Sequence, residues 1–249
     1  MDILSRKNTP EAIAAATALI RQAVLRESRQ ITQPDFERIA SDDLARLFGL
    51  YDRHFFDHWL SQTLKARGMP LRFRLSSTMT RTGGKTSRYR HRPGGVVGCR
   101  FEIAIACRVL FMTFRDVPRP VEVCGLTCKD RLEALQRILE HEIIHLTEML
   151  TWGRSSCSDA RFKKLAADIF GHVDTRHALV TAREHAAVRH GVVLGGMVQF
   201  QFDGQRLVGR VNRIHHRATV LVERSDGMRY SDGKMYAKYY VPLDLLKPR

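Results

Sequence analysis

Five residues, His141-Glu142-Ile143-Ile144-His145, carry the most chemistry in this chain of 249 residues. On a helix, positions four apart share one face, so both imidazoles can direct a ring nitrogen to a single ion about 2.0–2.1 Å away. Glu142, one step round, is then placed as general base beside a water whose pKa zinc lowers from about 15.7 to about 7. The pattern implies Zn²⁺-dependent hydrolysis, with His141 and His145 as metal ligands and Glu142 as the catalytic carboxylate.

Such spacing also arises by accident, in which case the histidines are ordinary core residues satisfied by hydrogen bonds. The surrounding run argues otherwise. From Arg131 to Leu150 the apolar residues Leu132, Leu135, Leu139, Ile143, Leu146 and Leu150 recur with a helical period. Two imidazoles and a carboxylate buried in so apolar a helix need partners, and one metal ion serves all three.

Charge is the second signal. Lys and Arg total 41 against 26 Asp and Glu, and the isoelectric point is near 10.2. No acidic residue falls between Asp57 and Glu102, a stretch holding ten basic ones. Within it, Arg81, Lys85, Arg88, Arg90 and Arg92 are interleaved with Tyr89, a composition that suits phosphates with an aromatic ring able to stack on an unpaired base. These six residues are the candidate nucleic-acid contacts, and DNA is the expected partner beside protein substrates. A solvated face with no partner is the plainer alternative, at the cost of self-repulsion. The run Gly83-Gly84-Lys85-Thr86 is not a phosphate loop, because the first glycine of that motif would have to stand at Met79.

At 44% hydrophobic and 27% charged residues the chain reads as globular. No apolar stretch approaches the roughly 20 residues that span a bilayer, and the first residues lack a signal-peptide core, so a cytoplasmic protein without membrane contact is expected. Cys99, Cys107, Cys124, Cys128 and Cys157 are an odd set without an export signal and are expected to be reduced. Cys124 and Cys128 read as small packed residues rather than a zinc knuckle.

The elements that must position this chemistry follow from patterning. Thr9-Pro10 starts a helix, and a second helical stretch runs from about Asp42 to Lys65. Short β-prone segments follow around Leu71–Leu75, Gly95–Ala106 and Val121–Cys124. The His/Glu helix comes next, then a loop, then a helix from about Asp159 ending at Gly171. After Gly191 short alternating runs are separated by Asp203-Gly204, Asp226-Gly227 and Asp232-Gly233, the pattern of a small antiparallel barrel. The expected fold class is α+β with a mixed or antiparallel sheet. The expected domains are an N-terminal helical extension over 1–40, a catalytic domain over 41–190 and a small β-barrel over 191–249, binding nucleic acid or protein or merely buttressing.

Five segments in order resemble one family: Leu47 to Phe56 (LFGLYDRHFF), Ser76 to Thr86 (SSTMTRTGGKT), Phe101 to Ala106 (FEIAIA), Glu140 to Leu146 (EHEIIHL) and Ser158 to Phe162 (SDARF). Together they resemble the SprT-like zinc metalloproteases over roughly residues 40 to 172. The resemblance implies a zincin-like metallopeptidase fold and an endopeptidase whose eukaryotic relatives cleave proteins crosslinked to DNA. It also implies a third zinc ligand, a His in a His-Gly-x-x-Phe segment, where this chain has Ser158. Cys157 can take that role by a one-residue shift, since a thiolate binds zinc at about 2.3 Å. Asp159 is the oxygen alternative, and His172 and His177 are nitrogen candidates across an intervening helix about 16 Å long. If no third ligand serves, the alternative is a DNA-binding protein whose zinc site is structural or vestigial.

Overall fold

The computed structural model describes residues 5–80, 82–91 and 98–249. It is α+β, and it divides into two compact units: residues up to Phe114 together with Pro120–Leu179, and Arg115–Arg119 together with Val180–Arg249.

The first unit begins with α1, Pro10–Glu27, capped by the Thr9 hydroxyl, with Pro10 at the first helical position. Ile13, Ile20 and Val24 of α1 enter the main core. The second helical stretch is two helices rather than one. α2 (Ser41–Phe56) buries Leu44, Leu47, Phe48, Tyr51, Phe55 and Phe56, while α3 (Trp59–Ala66) follows only after Asp57 and His58 adopt left-handed backbone at φ 49° and 64°. Asp52 holds the break: its two carboxylate oxygens accept the amides of Leu60 and Ser61, both at 2.9 Å, donors that a continuous helix would have used itself.

Three strands form a mixed sheet of order β1-β3-β2. β1 (Leu71–Ser76) runs parallel to β3 (Gly98–Ala106), and β2 (Gly84–His91) lies antiparallel to β3 on the outer edge. After α4 (Cys107–Met112), a tight hairpin of β4 (Val121–Val123) and β5 (Leu126–Cys128) leads into α5, Arg131–Trp152. α6 (Ala160–Phe170) ends at Gly171, whose φ of 70° takes the left-handed turn expected of it. The chain then returns, and β6 (His177–Ala178) pairs with β4.

α5 is the central rod, with 16 of its 22 residues buried, so its start has to be held firmly. Asp130 does this twice, accepting the amide of Glu133 at 3.0 Å as N-cap and the Arg21 guanidinium at 2.9 and 2.6 Å. Burial pushes the Asp130 carboxyl upward, but the Arg21 and backbone hydrogen bonds outweigh it and hold the group below its ordinary value. A depressed folded-state pKa adds stability above the unfolded value near pH 4, stability that is lost as the pH falls through the lower, folded value. Asp130→Ala is therefore expected to cost about 1–2 kcal/mol near neutrality. In urea melts run at successive pH values, its difference from wild type should shrink below about pH 4.

The second unit contains α7 (Ala182–His190), started by a reciprocal Thr181/Glu184 cap and ended at Gly191. Its strands are β7 (Met197–Phe202), β8 (Gln205–Ile214), β9 (Arg217–Arg229), β10 (Met235–Pro242) and β11 (Lys247–Pro248). The barrel expected after Gly191 is instead an open five-stranded antiparallel sheet of order β10-β9-β8-β7-β11. β11 is two residues long and Pro248 has no N–H, so that edge cannot extend a ladder to close the ring. Asp203-Gly204 makes the expected two-residue turn, with φ 51° and 71°. Asp226-Gly227 does not turn: it lies inside β9, where a Cβ on Gly227 would stand 2.3 Å from the Tyr236 carbonyl carbon. Among the described residues no helix is long and apolar enough to cross a membrane.

Candidate metal centre

One turn of α5 sets His141 and His145 with their Nε2 atoms 3.1 Å apart. Two nitrogens bound tetrahedrally at 2.0–2.1 Å would be separated by about 3.3 Å, so the pair is spaced to share an ion. α5 stops at Gly153 in left-handed conformation, and the chain doubles back through the loop before α6. That reversal brings Cys157 to the pair, with one ligand atom from each of His141, His145 and Cys157 within 4.8 Å of the others.

Hydrogen bonds dictate the form of His145. Ser155 Oγ donates to Glu148 Oε2 at 2.6 Å, a carboxylate that can only accept, so at 2.7 Å the same oxygen receives the proton of His145 Nδ1. Nε2 is left with its lone pair facing His141. Arg161 in turn donates to Glu148 Oε1 at 2.7 Å and lies over the Trp152 ring at 4.1 Å. A chain of this kind orients a metal-binding imidazole from behind.

Glu142 occupies the neighbouring face and is 2% exposed. Thr86 of β2 donates to its Oε2 at 2.8 Å and to its backbone oxygen at 3.0 Å. Burial raises the Glu142 carboxyl to about 7 against the pull of the Thr86 bonds. A Cβ on Gly84 would stand 2.6 Å from Glu142 Oε1, so only glycine lets β2 approach the carboxylate this closely. Gly83 does the same beside His177, whose Nδ1 would be 2.8 Å from an added Cβ.

His177 enters the site from β6. Its ring centroid is 4.7 Å from that of His141, because the β4–β6 pairing folds the chain back after α6. Its Nε2 is buried without a hydrogen-bond partner. His172, by contrast, points away and meets Glu140 Oε2 at 2.8 Å. Asp159 belongs to neither of the groups among the described residues that could hold a metal ion. Burial, reinforced by neighbouring histidines, lowers His141 to about 2 and His177 to about 4, and burial lowers His145 to about 4 against the opposing charge of Glu148. All three are neutral near pH 7, the form that binds metal. The paired Nε2 atoms, the orphaned His177 nitrogen and a borderline-soft donor set of imidazole and thiolate fit a zinc ion.

These groups line a cavity of about 820 Å³ that includes Lys85, Glu122, Met149, Ser155 and Arg176. Of the candidate nucleic-acid residues, Lys85 and Arg90 are exposed on β2. Arg88 is engaged within the unit, donating to the Gly153 carbonyl at 3.2 Å and to Cys99 Sγ at 3.1 Å. Tyr89 is 38% exposed, with the Arg100 guanidinium 5.0 Å from its ring centroid. Arg81 and Arg92 lie outside the described residues. All five cysteines are free.

Comparison with family models, curated proteins and solved structures finds no match. Thr86, Gly83, Gly84 and the Ser155–Glu148 relay are participants to which sequence reasoning assigns no role, whereas His177 stands among its nitrogen candidates and Cys124 reads there as a small packed residue. One signal is available for the glycines: only Lys85 separates the pair from Thr86, in a run that fails as a phosphate loop but falls within the Ser76–Thr86 segment of the family resemblance.

Proposed function

We propose that the chain is a zinc-dependent endopeptidase of the SprT-like type, with a zincin-like first unit, acting on DNA-associated or DNA-crosslinked proteins. The observation that carries this reading is the facing Nε2 pair of His141 and His145, with Cys157 beside them and a buried Glu142 in the same cavity. His141, His145 and Cys157 would hold zinc, which when bound supplies Lewis acidity toward a scissile carbonyl and its attacking water. Glu142 takes the proton of that water and returns it to the departing amine. Thr86 fixes the carboxylate while it does so, and the Ser155–Glu148 relay keeps His145 in the binding tautomer. β2 is an edge strand beside the cavity, so an extended peptide can add to it through backbone hydrogen bonds.

The DNA part of the reading rests on charge: a net +15 and the acid-free stretch through β1 and β2. Closely placed Cys124 and His177 beside His141 favour a second reading, a DNA-binding protein with a buried structural zinc site. Cleavage of a basic DNA-binding protein by zinc-loaded and chelator-stripped chain, each with and without single-stranded DNA, separates the two. The expected result is cleavage only with zinc, faster with DNA, and less DNA-stimulated as salt rises. No cleavage in any arm would remove the peptidase reading, and cleavage indifferent to DNA would remove the DNA part.

A further inference from the structure

The ring of His141 has a second edge that the peptidase reading does not use. Its Nδ1 faces Cys124 Sγ at 3.7 Å. For an ion bound at about 2.3 Å to sulfur and about 2.05 Å to nitrogen, a tetrahedral arrangement separates the two donors by about 3.6 Å. His177 completes the group, with one ligand atom from each of Cys124, His141 and His177 within 4.8 Å of the others. Cys124 is 0% and His141 4% exposed, and His177 Nε2 is a buried nitrogen with nothing to bond.

The backbone at Cys124 is a second, independent observation. Cys124 and Gly125 form the two-residue turn between β4 and β5, with φ 56° and 74°. Such turns take Asn or Asp followed by Gly, because the first position must also adopt left-handed backbone. A cysteine there is strained, and strain of this kind concentrates where a side chain has a task. The turn is clamped in place: the Cys124 carbonyl accepts the amides of Val173 and Asp174 at 3.0 and 3.1 Å, and its own amide donates to Arg176 at 2.7 Å. The same segment, residues 173–176, leads directly into His177, so one set of backbone bonds fixes both donors against His141.

We propose that Cys124, His141 Nδ1 and His177 form a second, buried metal-binding set for a thiophilic divalent ion such as zinc, mutually exclusive with the set of His141 Nε2, His145 and Cys157. Exclusion follows from imidazole chemistry. A neutral ring has one lone pair, so binding through Nδ1 puts the proton on Nε2 and removes His141 from its partnership with His145. Binding also displaces the Cys124 thiol proton to solvent. Only the functional consequence, that an ion held there withdraws His141 from the catalytic set, rests on the peptidase reading. The binding itself does not.

The test is a cobalt(II) titration of the full-length chain, reading the thiolate-to-cobalt absorption band and metal content. Variants are Cys157→Ser, the double variant Cys157→Ser with His145→Ala, and each of these with Cys124→Ser added. The double variant, confirmed folded by circular dichroism, is expected to bind one cobalt per chain with a thiolate band, and Cys124→Ser should remove that band and weaken binding at least tenfold. If His145→Ala prevents folding, the same comparison is made in the Cys157→Ser background. Loss of cobalt binding before Cys124 is touched, or a thiolate band that survives Cys124→Ser, overturns the proposal. Because the readout involves no cleavage, a wild-type chain inactive in the cleavage assay whose variants carry this cobalt signature would defeat the peptidase reading and leave the second set standing.

Discussion

Glu142→Gln is expected to lower peptide cleavage by about 10²–10⁴-fold while leaving zinc content unchanged. The substitution preserves volume and can still accept the Thr86 hydroxyl, which donates to Glu142 Oε2 at 2.8 Å. What the amide loses is the capacity to take a proton from water and pass it to the leaving amine. Neither metal set includes Glu142, so the ligands stay intact and the effect should fall on kcat. Turnover of a peptide substrate, measured with elemental analysis of the same sample, decides the matter. A variant that loses zinc as well as activity would make Glu142 a structural support of the site, and full retained activity would exclude it as the base.

The largest expected stability effect lies two residues earlier. Glu140 is 0% exposed and is the common acceptor of a buried network: Tyr51 hydroxyl at 2.7 Å, His172 Nε2 at 2.8 Å, and the Arg137 guanidinium at 3.0 Å to both oxygens. Gln136 Nε2 adds a bond to the Tyr51 hydroxyl at 3.2 Å. Glu140→Ala leaves a nearly buried guanidinium without its counter-charge and strands two further donors, so a loss of about 3–5 kcal/mol is expected in urea or thermal unfolding. Replacing both charges, Arg137→Met with Glu140→Leu, should cost less than the single substitution, because no charge is then left unpaired. A single variant as stable as wild type would show that the network adds nothing to folding. The network also stands behind the site, since it ties α2 and the end of α6 to the turn of α5 that carries His141.

Some of this was legible in the chain order. The spacing of His141 and His145, the apolar period of α5, Thr9-Pro10 at a helix start, Gly171 at a helix end and Asp203-Gly204 at a hairpin all act within a few residues of themselves. They read correctly because i, i+4 geometry and turn backbone are local properties. Cys157 is close enough in sequence to α5 that a single reversal at Gly153 brings it to the histidines. The break between α2 and α3 was missed because its cause, the Asp52 carboxylate capping Leu60 and Ser61, competes with a helical pattern that continues on both sides.

His177 shows the limit most clearly. A helix about 16 Å long follows the loop at the metal site, and sequence distance alone suggests that it carries everything beyond it away. The β4–β6 pairing reverses that, placing His177 against His141 across 36 residues of chain. Thr86 and Gly84 reach Glu142 in the same way, through the position of β2 beside α5. The second unit differs for a related reason: alternation specified its strands, but whether a sheet closes depends on which edges meet, and β11 is too short to meet β10. The sequence by itself thus determined the facing imidazole pair, the carboxylate beside it and the helix that holds them, since those relations repeat every turn. Only the tertiary structure decided what surrounds them, because strand pairing and loop closure join residues whose separation along the chain carries no periodic signal.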